Sequence, residues 1–278
     1  MKMGTLAMVE QLKTGDFKLK SNDIKNITGL TYRKLNDWEK KGIIPSDRNV
    51  KEGWRYFTPS EAFAIAICAE LRERMDLSFE KLKWICMRLL AKQAGDSVLI
   101  HSLRQIARYG GNVCIFTDSR KMLAVEHEII VEQWIAAGRL VEAEAVDDFI
   151  YMKIKSIIER LIHCVFNQKI AIEPDPKLYQ NYLKTKSIAV DGLNSLKPEE
   201  KELISLIRSN TYPRISLRVK DGCLSRIKLV VERNVELEKL GIIIKNEDLQ
   251  NLQLEKQANG IFKLAGEKVI TYNQKSGK

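Results

Sequence analysis

Two glycines, Gly29 and Gly42, constrain this chain more than any other residues, because each closes a short segment with a helical apolar pattern. Leu19 to Ile27 reads as one helix, with Ser21 or Asn22 as its cap and Leu19, Ile24 and Ile27 as apolar anchors. Gly29 ends it. Thr31 then caps a second helix through Lys41, with Leu30, Leu35 and Trp38 facing inward, until Gly42 supplies a left-handed stop. Two short helices around a tight glycine turn make a helix-turn-helix.

The following residues extend the pattern. Ile43, Ile44 and Pro45 lead into a polar, basic stretch, Ser46 to Gly53, and then the aromatic run Trp54, Tyr56 and Phe57, which predicts a two-stranded wing. Thr58 caps a third helix with Pro59 at its first position and Glu61 at the capping-box position. That helix runs to about Met75, with Phe63, Ile67 and Leu71 on one face. Ser78 caps a fourth, Phe79 to about Lys92, carrying Leu82, Ile85 and Leu89 at helical spacing.

The run Thr31 to Pro45, followed by Gly53-Trp54-Arg55-Tyr56-Phe57 and the Thr58 helix start, resembles the DNA-binding domain of the MerR family of bacterial transcription regulators. The resemblance covers about residues 17–90 and lies in the order and spacing of several elements. It implies a winged helix-turn-helix that binds double-stranded DNA as a homodimer, at near-palindromic promoter operators, and distorts the duplex to control RNA polymerase. Trp38 stands where the family usually has Tyr, and Asn36 where it commonly has Arg.

The residues themselves agree with a DNA-binding reading. A recognition helix docks its N-terminal residues against base edges in the major groove, while cations and hydroxyls hold phosphates. Thr31, Tyr32, Arg33 and Asn36 fall on the first turns of the second helix. Arg33 suits guanine or phosphate, and Asn36 suits adenine or phosphate. Arg48, Lys51 and Arg55 lie in or beside the wing as phosphate clamps, and Tyr56 joins them. Judged singly, Tyr32, Trp38 and Trp54 are core residues; Trp38 is expected mainly to pack, with its indole N–H available to a phosphate. Lys34, Lys40 and Lys41 read equally well as a solvated face.

Charge supports the placement without proving it. The chain holds 46 Lys and Arg against 36 Asp and Glu, a formal +10. Residues 1–92 carry +6 of this, residues 93–190 are neutral, and residues 191–278 carry +4. The C-terminal share has no assignment.

Beyond the fourth helix, Gly95-Asp96 interrupts the pattern early, whereas MerR regulators continue into one long dimerisation helix. Val98 to Tyr109 reads as a helix, Asn112 to Thr117 and Met122 to Val125 as strands, and Glu128 to Ala137 as a helix. Asp147 to Gln168 is the longest helical stretch. Its Ile150, Ile154, Ile157 and Leu161 form a seam that suits either a core or a dimer. Ile172 to Lys186, with Pro174 and Pro176, reads as a linker. Pro198 opens a helix through Arg208, and Asp221-Gly222 joins Pro213–Val219 to Leu224–Glu232 as a hairpin. Asn259-Gly260 and Ala265-Gly266 suggest turns between further short strands.

The expected class is therefore α+β multidomain: an N-terminal winged helix-turn-helix, a central mixed α/β segment and a C-terminal helix plus β-hairpin region. The expected divisions are a polar lead (1–16), the DNA-binding domain (17–92), a central dimerisation or sensing domain (96–170), a linker (171–197) and a small C-terminal α+β domain (198–278).

Other function classes find little support. No apolar run reaches the length of a membrane span, and Met1 to Asp16 lacks a signal-peptide pattern, so a cytoplasmic protein is expected. The five cysteines stand singly and read as buried small hydrophobes. Gly110-Gly111 is no phosphate loop, and His101, His127 and His163 lack metal-ligand spacing. Glu126-His127-Glu128 reads as a strand-to-helix junction. The expectation is a transcription regulator with no catalytic residues, no cofactor and no metal. An architectural, recombination or segregation accessory protein that binds DNA, or a protein-interaction module without DNA affinity, stand as alternatives.

Overall fold

The computed structural model describes residues 4–44, 55–91, 95–117, 123–131, 149–167, 172–186, 198–208, 214–220, 223–236, 250–256 and 261–271. The chain divides into two units, the first comprising Met1–Cys114, Ser119–His127 and Ile154–Ser187, the second Ile115–Asp118, Glu128–Lys153 and Ile188–Lys278. The architecture is α+β.

The first unit is built on α4, Pro59–Met75. Its start is the predicted capping box: the Thr58 amide donates to Glu61 Oε2 at 2.7 Å, and the Glu61 amide donates to Thr58 Oγ1 at 3.2 Å. The sequence pattern predicts one apolar face, but Ala62 to Ala69 are all buried, and a helix apolar all round must lie inside. Its neighbours are α2 (Ser21–Thr28), α5 (Phe79–Leu90, capped by Ser78), α6 (Val98–Tyr109, capped by Ser97) and α7 (Lys155–Phe166). Cys68 and Cys86 are buried in this core, and a hydrogen bond between them, with burial, pushes the Cys68 thiol well up.

Around that core the sequence expectations change in four places. The polar lead contains a helix, α1 (Thr5–Thr14), which buries Met8 and Val9 and packs on α6. Lys13 bonds Asp96 at 2.9 Å, and Asp96 also pairs with Arg104. Second, Asp147 to Gln168 is not one helix: Phe149–Lys153 is a strand, β5, and the helix α7 starts at Lys155. Ile150, Tyr151 and Met152 are consecutive and all buried, which a strand covered on both faces accommodates. The proposed seam is thus broken between two elements. On α7, Ile157, Ile158, Leu161 and Ile162 are buried, and the helix packs on α2 and α4, so this face is core rather than a dimer surface.

Third, the linker at Ile172 to Lys186 is structured. Ile172 is buried, Thr5 Oγ1 donates to the Glu173 carbonyl at 2.5 Å, and the Asp175 amide donates to the Ala107 carbonyl at 2.7 Å. Asp175 Oδ1 accepts from the Lys177 and Leu178 amides, both at 3.0 Å, opening α8 (Pro176–Lys186) with proline at its first position. Tyr182 of α8 meets Tyr109 of α6 edge-on at 5.2 Å. Fourth, Leu19 is not helical. Leu19–Lys20 form a short strand, β1, that pairs antiparallel with β2 (Tyr56–Phe57), so β2 finds its partner before the helix-turn-helix rather than at Ile43-Ile44. The segment 17–92 thus sits within a first unit that also takes in residues before and after it.

The strands β3 (Val113–Thr117) and β4 (Leu123–His127) follow α6, and residues 128–131 turn helical directly after His127, as the junction reading required. In the second unit, α9 (Pro198–Arg208) precedes the hairpin of β6 (Arg214–Lys220) and β7 (Cys223–Glu236). Lys220 pairs with Cys223, leaving Asp221-Gly222 as the connection. β8 (Gln250–Lys256) and β9 (Ile261–Thr271) complete an antiparallel order β5-β6-β7-β9-β8. Ala265-Gly266 is no turn: it sits inside β9, opposite Glu232 and Val231. No described helix is long and apolar enough to cross a membrane.

Candidate nucleic-acid interface

The local sequence explains how a helix is presented to solvent here. α2 starts after the Lys20 amide donates to Asp23 Oδ2 at 2.7 Å and stops at Gly29, whose φ of +74° favours glycine. Leu30 turns inward. Thr31 Oγ1 then accepts the Lys34 amide at 3.3 Å and caps α3 (Tyr32–Lys40). At the other end the Ile43 amide donates to the Trp38 carbonyl and the Gly42 amide to the Glu39 carbonyl, with Gly42 at φ +67°, which is a Schellman stop. Trp38, Ile43 and Ile44 are buried beside it.

Only Leu35 and Trp38 of α3 are buried. The first turn therefore faces outward: Tyr32 is 63% exposed, Arg33 and Lys34 are exposed, and Asn36 is half-buried. An aromatic and a guanidinium on the turn nearest the positive end of the helix dipole, with the Asn36 amide at the start of the next, form a surface suited to phosphates and base edges.

The remaining sequence-predicted contacts divide. Thr31 is exposed, but its oxygen is engaged as the cap. Trp38 is only 3% exposed, so its indole packs and is not a surface contact. Arg48 and Lys51 lie outside the described residues, as does the turn of the expected wing. Arg55 is not an open phosphate clamp: Nη1 meets Glu39 Oε2 at 2.9 Å, the two side chains being 14% and 9% exposed, and its guanidinium stacks 4.3 Å from the Phe57 ring. An arginine already paired and stacked fixes the end of α3 against β2. Tyr56 is 46% exposed.

Two features escaped the sequence reading. Lys20 stands opposite Tyr56 in the β1–β2 pair, both exposed, while Leu19 and Phe57 are buried. The alternation Lys18-Leu19-Lys20 was its only signal, and it is too short to separate from a helix start. Lys41 is not merely solvated: it bonds Asp37 Oδ2 at 2.6 Å and sits 3.8 Å over the Phe79 ring, with Arg72 4.8 Å from the same ring. Among the described residues no group of three or more His, Cys, Asp or Glu side chains could hold a metal ion.

A capped helix pair with a glycine turn, the second helix exposing its first turn, defines the class of helix-turn-helix DNA-binding domains. Residues 19–88 match the family described as MerR HTH family regulatory protein, so the chain carries an N-terminal MerR-type helix-turn-helix domain. The rest of the chain lies outside that match. No curated protein and no solved structure matches this chain.

Proposed function

We propose that the protein is a cytoplasmic, sequence-specific transcription regulator of MerR type, binding promoter operators as a homodimer and acting on RNA polymerase through the DNA. It works by binding rather than catalysis. The observation that carries the reading is the exposed first turn of α3 within the segment that matches the MerR family. A homodimer follows from size, because one small helix-turn-helix module buries too little surface for operator-level specificity, and two half-sites restore it.

In this reading Tyr32, Arg33 and Asn36 contact bases and phosphates, Tyr56 and Lys20 contact the backbone, and Arg55 with Glu39 positions α3. Genome-wide mapping of bound sites supplies operators, and anisotropy titration on those duplexes across a salt series tests the contacts. Arg33→Ala combined with Tyr32→Ala should weaken binding at least ~10-fold, about 1–3 kcal/mol per lost contact. Absence of wild-type binding at low salt, or unchanged affinity of the double variant, would sink the reading. Sites clustered away from promoters would favour an architectural role.

A further inference from the structure

A protein that binds DNA as a pair needs a contact surface that its own chain leaves open. α6 stands where MerR regulators continue into their dimerisation helix, but here Val98, Leu99, Ile100, Leu103, Ile106 and Ala107 are all buried, and the helix packs on α1, α4, α8 and β4 of its own unit. The apolar face of α7 is likewise core. α5 is different. It buries Leu82, Ile85, Cys86 and Leu89 on one side, and 3.6 residues per turn put Glu80, Trp84, Met87 and Arg88 on the other. Met87 is 58% exposed, and Trp84 is half-buried with the Arg88 guanidinium 5.4 Å from its ring. Lys83, also exposed, leans away: its Nζ lies 3.3 Å from the point where Gly42 would carry a Cβ.

The order of residues on this face matters more than its composition. Glu80, Trp84 and Arg88 follow one another at intervals of four, so an acid and a base stand one turn to either side of the indole. Both are exposed, and among the described residues neither has an ion-pair partner. A two-fold axis beside Trp84 that sets two α5 helices antiparallel brings each Glu80 against Arg88 of the partner subunit, and Trp84 against Trp84 of the partner subunit. Parallel copies in register would instead oppose like charges at both ends. A contact between identical surfaces requires such self-complementarity, with an apolar centre and charged ends.

We propose that the face of α5 bearing Glu80, Trp84, Met87 and Arg88 is where a second copy of this chain docks, antiparallel and about a two-fold axis beside Trp84. The inference takes the homodimer from the functional reading above and gives it a place; the self-complementary order of the face does not depend on DNA. A helix of 12 residues is about 18 Å long, so the contact belongs to the small, weak class of interfaces. Two half-sites on one duplex hold both copies together and strengthen it.

The test is sedimentation equilibrium of the full chain over a concentration series, free and on duplex DNA, comparing wild type with Glu80→Arg, Arg88→Glu and the double exchange. Wild type should approach twice the chain mass. Each single exchange turns both ion pairs into like-charge contacts and should weaken dimerisation at least ~10-fold, whereas the double exchange should recover it. An equimolar mixture of the two single variants restores both pairs and should associate as wild type does. Met87→Gln, exposed and neutral, should weaken association without any change of charge, and circular dichroism should show every variant folded. A wild type that stays monomeric both free and on DNA would overturn the proposal. A dimer that none of the substitutions alters would overturn this surface and leave the homodimer standing. Single variants that fail to recover when mixed would overturn the two-fold arrangement. A dimer sensitive to the exchanges that binds no duplex would support the surface and overturn the DNA reading.

Discussion

α3 and α4 belong to the same unit and start with the same device, a threonine cap, yet they bury opposite fractions of themselves. α3 sinks Leu35 and Trp38 and leaves its first turn in water. α4 hides Ala62 through Ala69 on every side. The contrast separates two tasks: α4 holds the unit together, and α3 is held by it so that its outward residues are free for a partner. Arg55 with Glu39 connects the two, fixing α3 to the short strand that leads directly into α4.

Substitutions can break this contrast or sharpen it. The largest effect is expected in α4: Phe63→Ala should cost about 3–5 kcal/mol in denaturant unfolding, because the cavity sits where no neighbour can relax outward. A much smaller loss would mean that α4 is not the scaffold. Next comes Glu39→Ala, expected to cost about 3 kcal/mol by leaving the buried Arg55 guanidinium without this carboxylate. Its DNA affinity should fall with the displaced α3, and a variant with lost affinity but unchanged stability would make Glu39 a contact instead. Thr58→Ala should cost about 1 kcal/mol through the lost α4 cap, with Thr58→Ser restoring most of it.

The smallest expected effect concerns pH. The hydrogen bond from Lys13, with the charges of Arg104 and His101, holds the Asp96 carboxyl below its usual 3.8 despite the opposing cost of burial. A depressed carboxylate stabilises the fold above its unfolded value, and that contribution disappears as pH falls through the lower folded value. Urea midpoints should therefore decline more steeply below about pH 4 in the wild type than in Asp96→Asn. Equal acid limbs would show that the α1–α6 link does not depend on this charge.

Where local chemistry decided the outcome, the sequence was readable. Gly29, Thr31, Gly42 and the Thr58-Pro59-Glu61 start marked helix ends that depend on hydrogen bonds within a few residues, and Asp221-Gly222 marked the hairpin in the same way. Long-range partners were hidden. Ile150 and Ile154 share helical spacing with Ile157, but Ile150 lies in a strand whose partner is β6, far along the chain. Leu19 could not reveal its pairing with Phe57, nor could Arg55 reveal that Glu39 would neutralise it rather than a phosphate. Asp175-Pro176 did carry a helix-start signal, and the two nearby prolines obscured it as a linker. Thus the exposed turn of α3 was legible from spacing, while its supporting residues were not.

The hydrogen bond from Thr5 to the Glu173 carbonyl, together with that from Asp175 to Ala107, has a consequence for synthesis on the ribosome. The helix pair that presents Tyr32 and Arg33 emerges early, but α7, which packs on α2 and α4, arrives only after more than a hundred further residues, and α8, which packs on α6, later still. At about 5–20 residues per second, the nascent chain exposes the apolar flank of α4 for several seconds before its last neighbours exist. That interval, rather than the finished fold, is when this apolar surface is open to other chains.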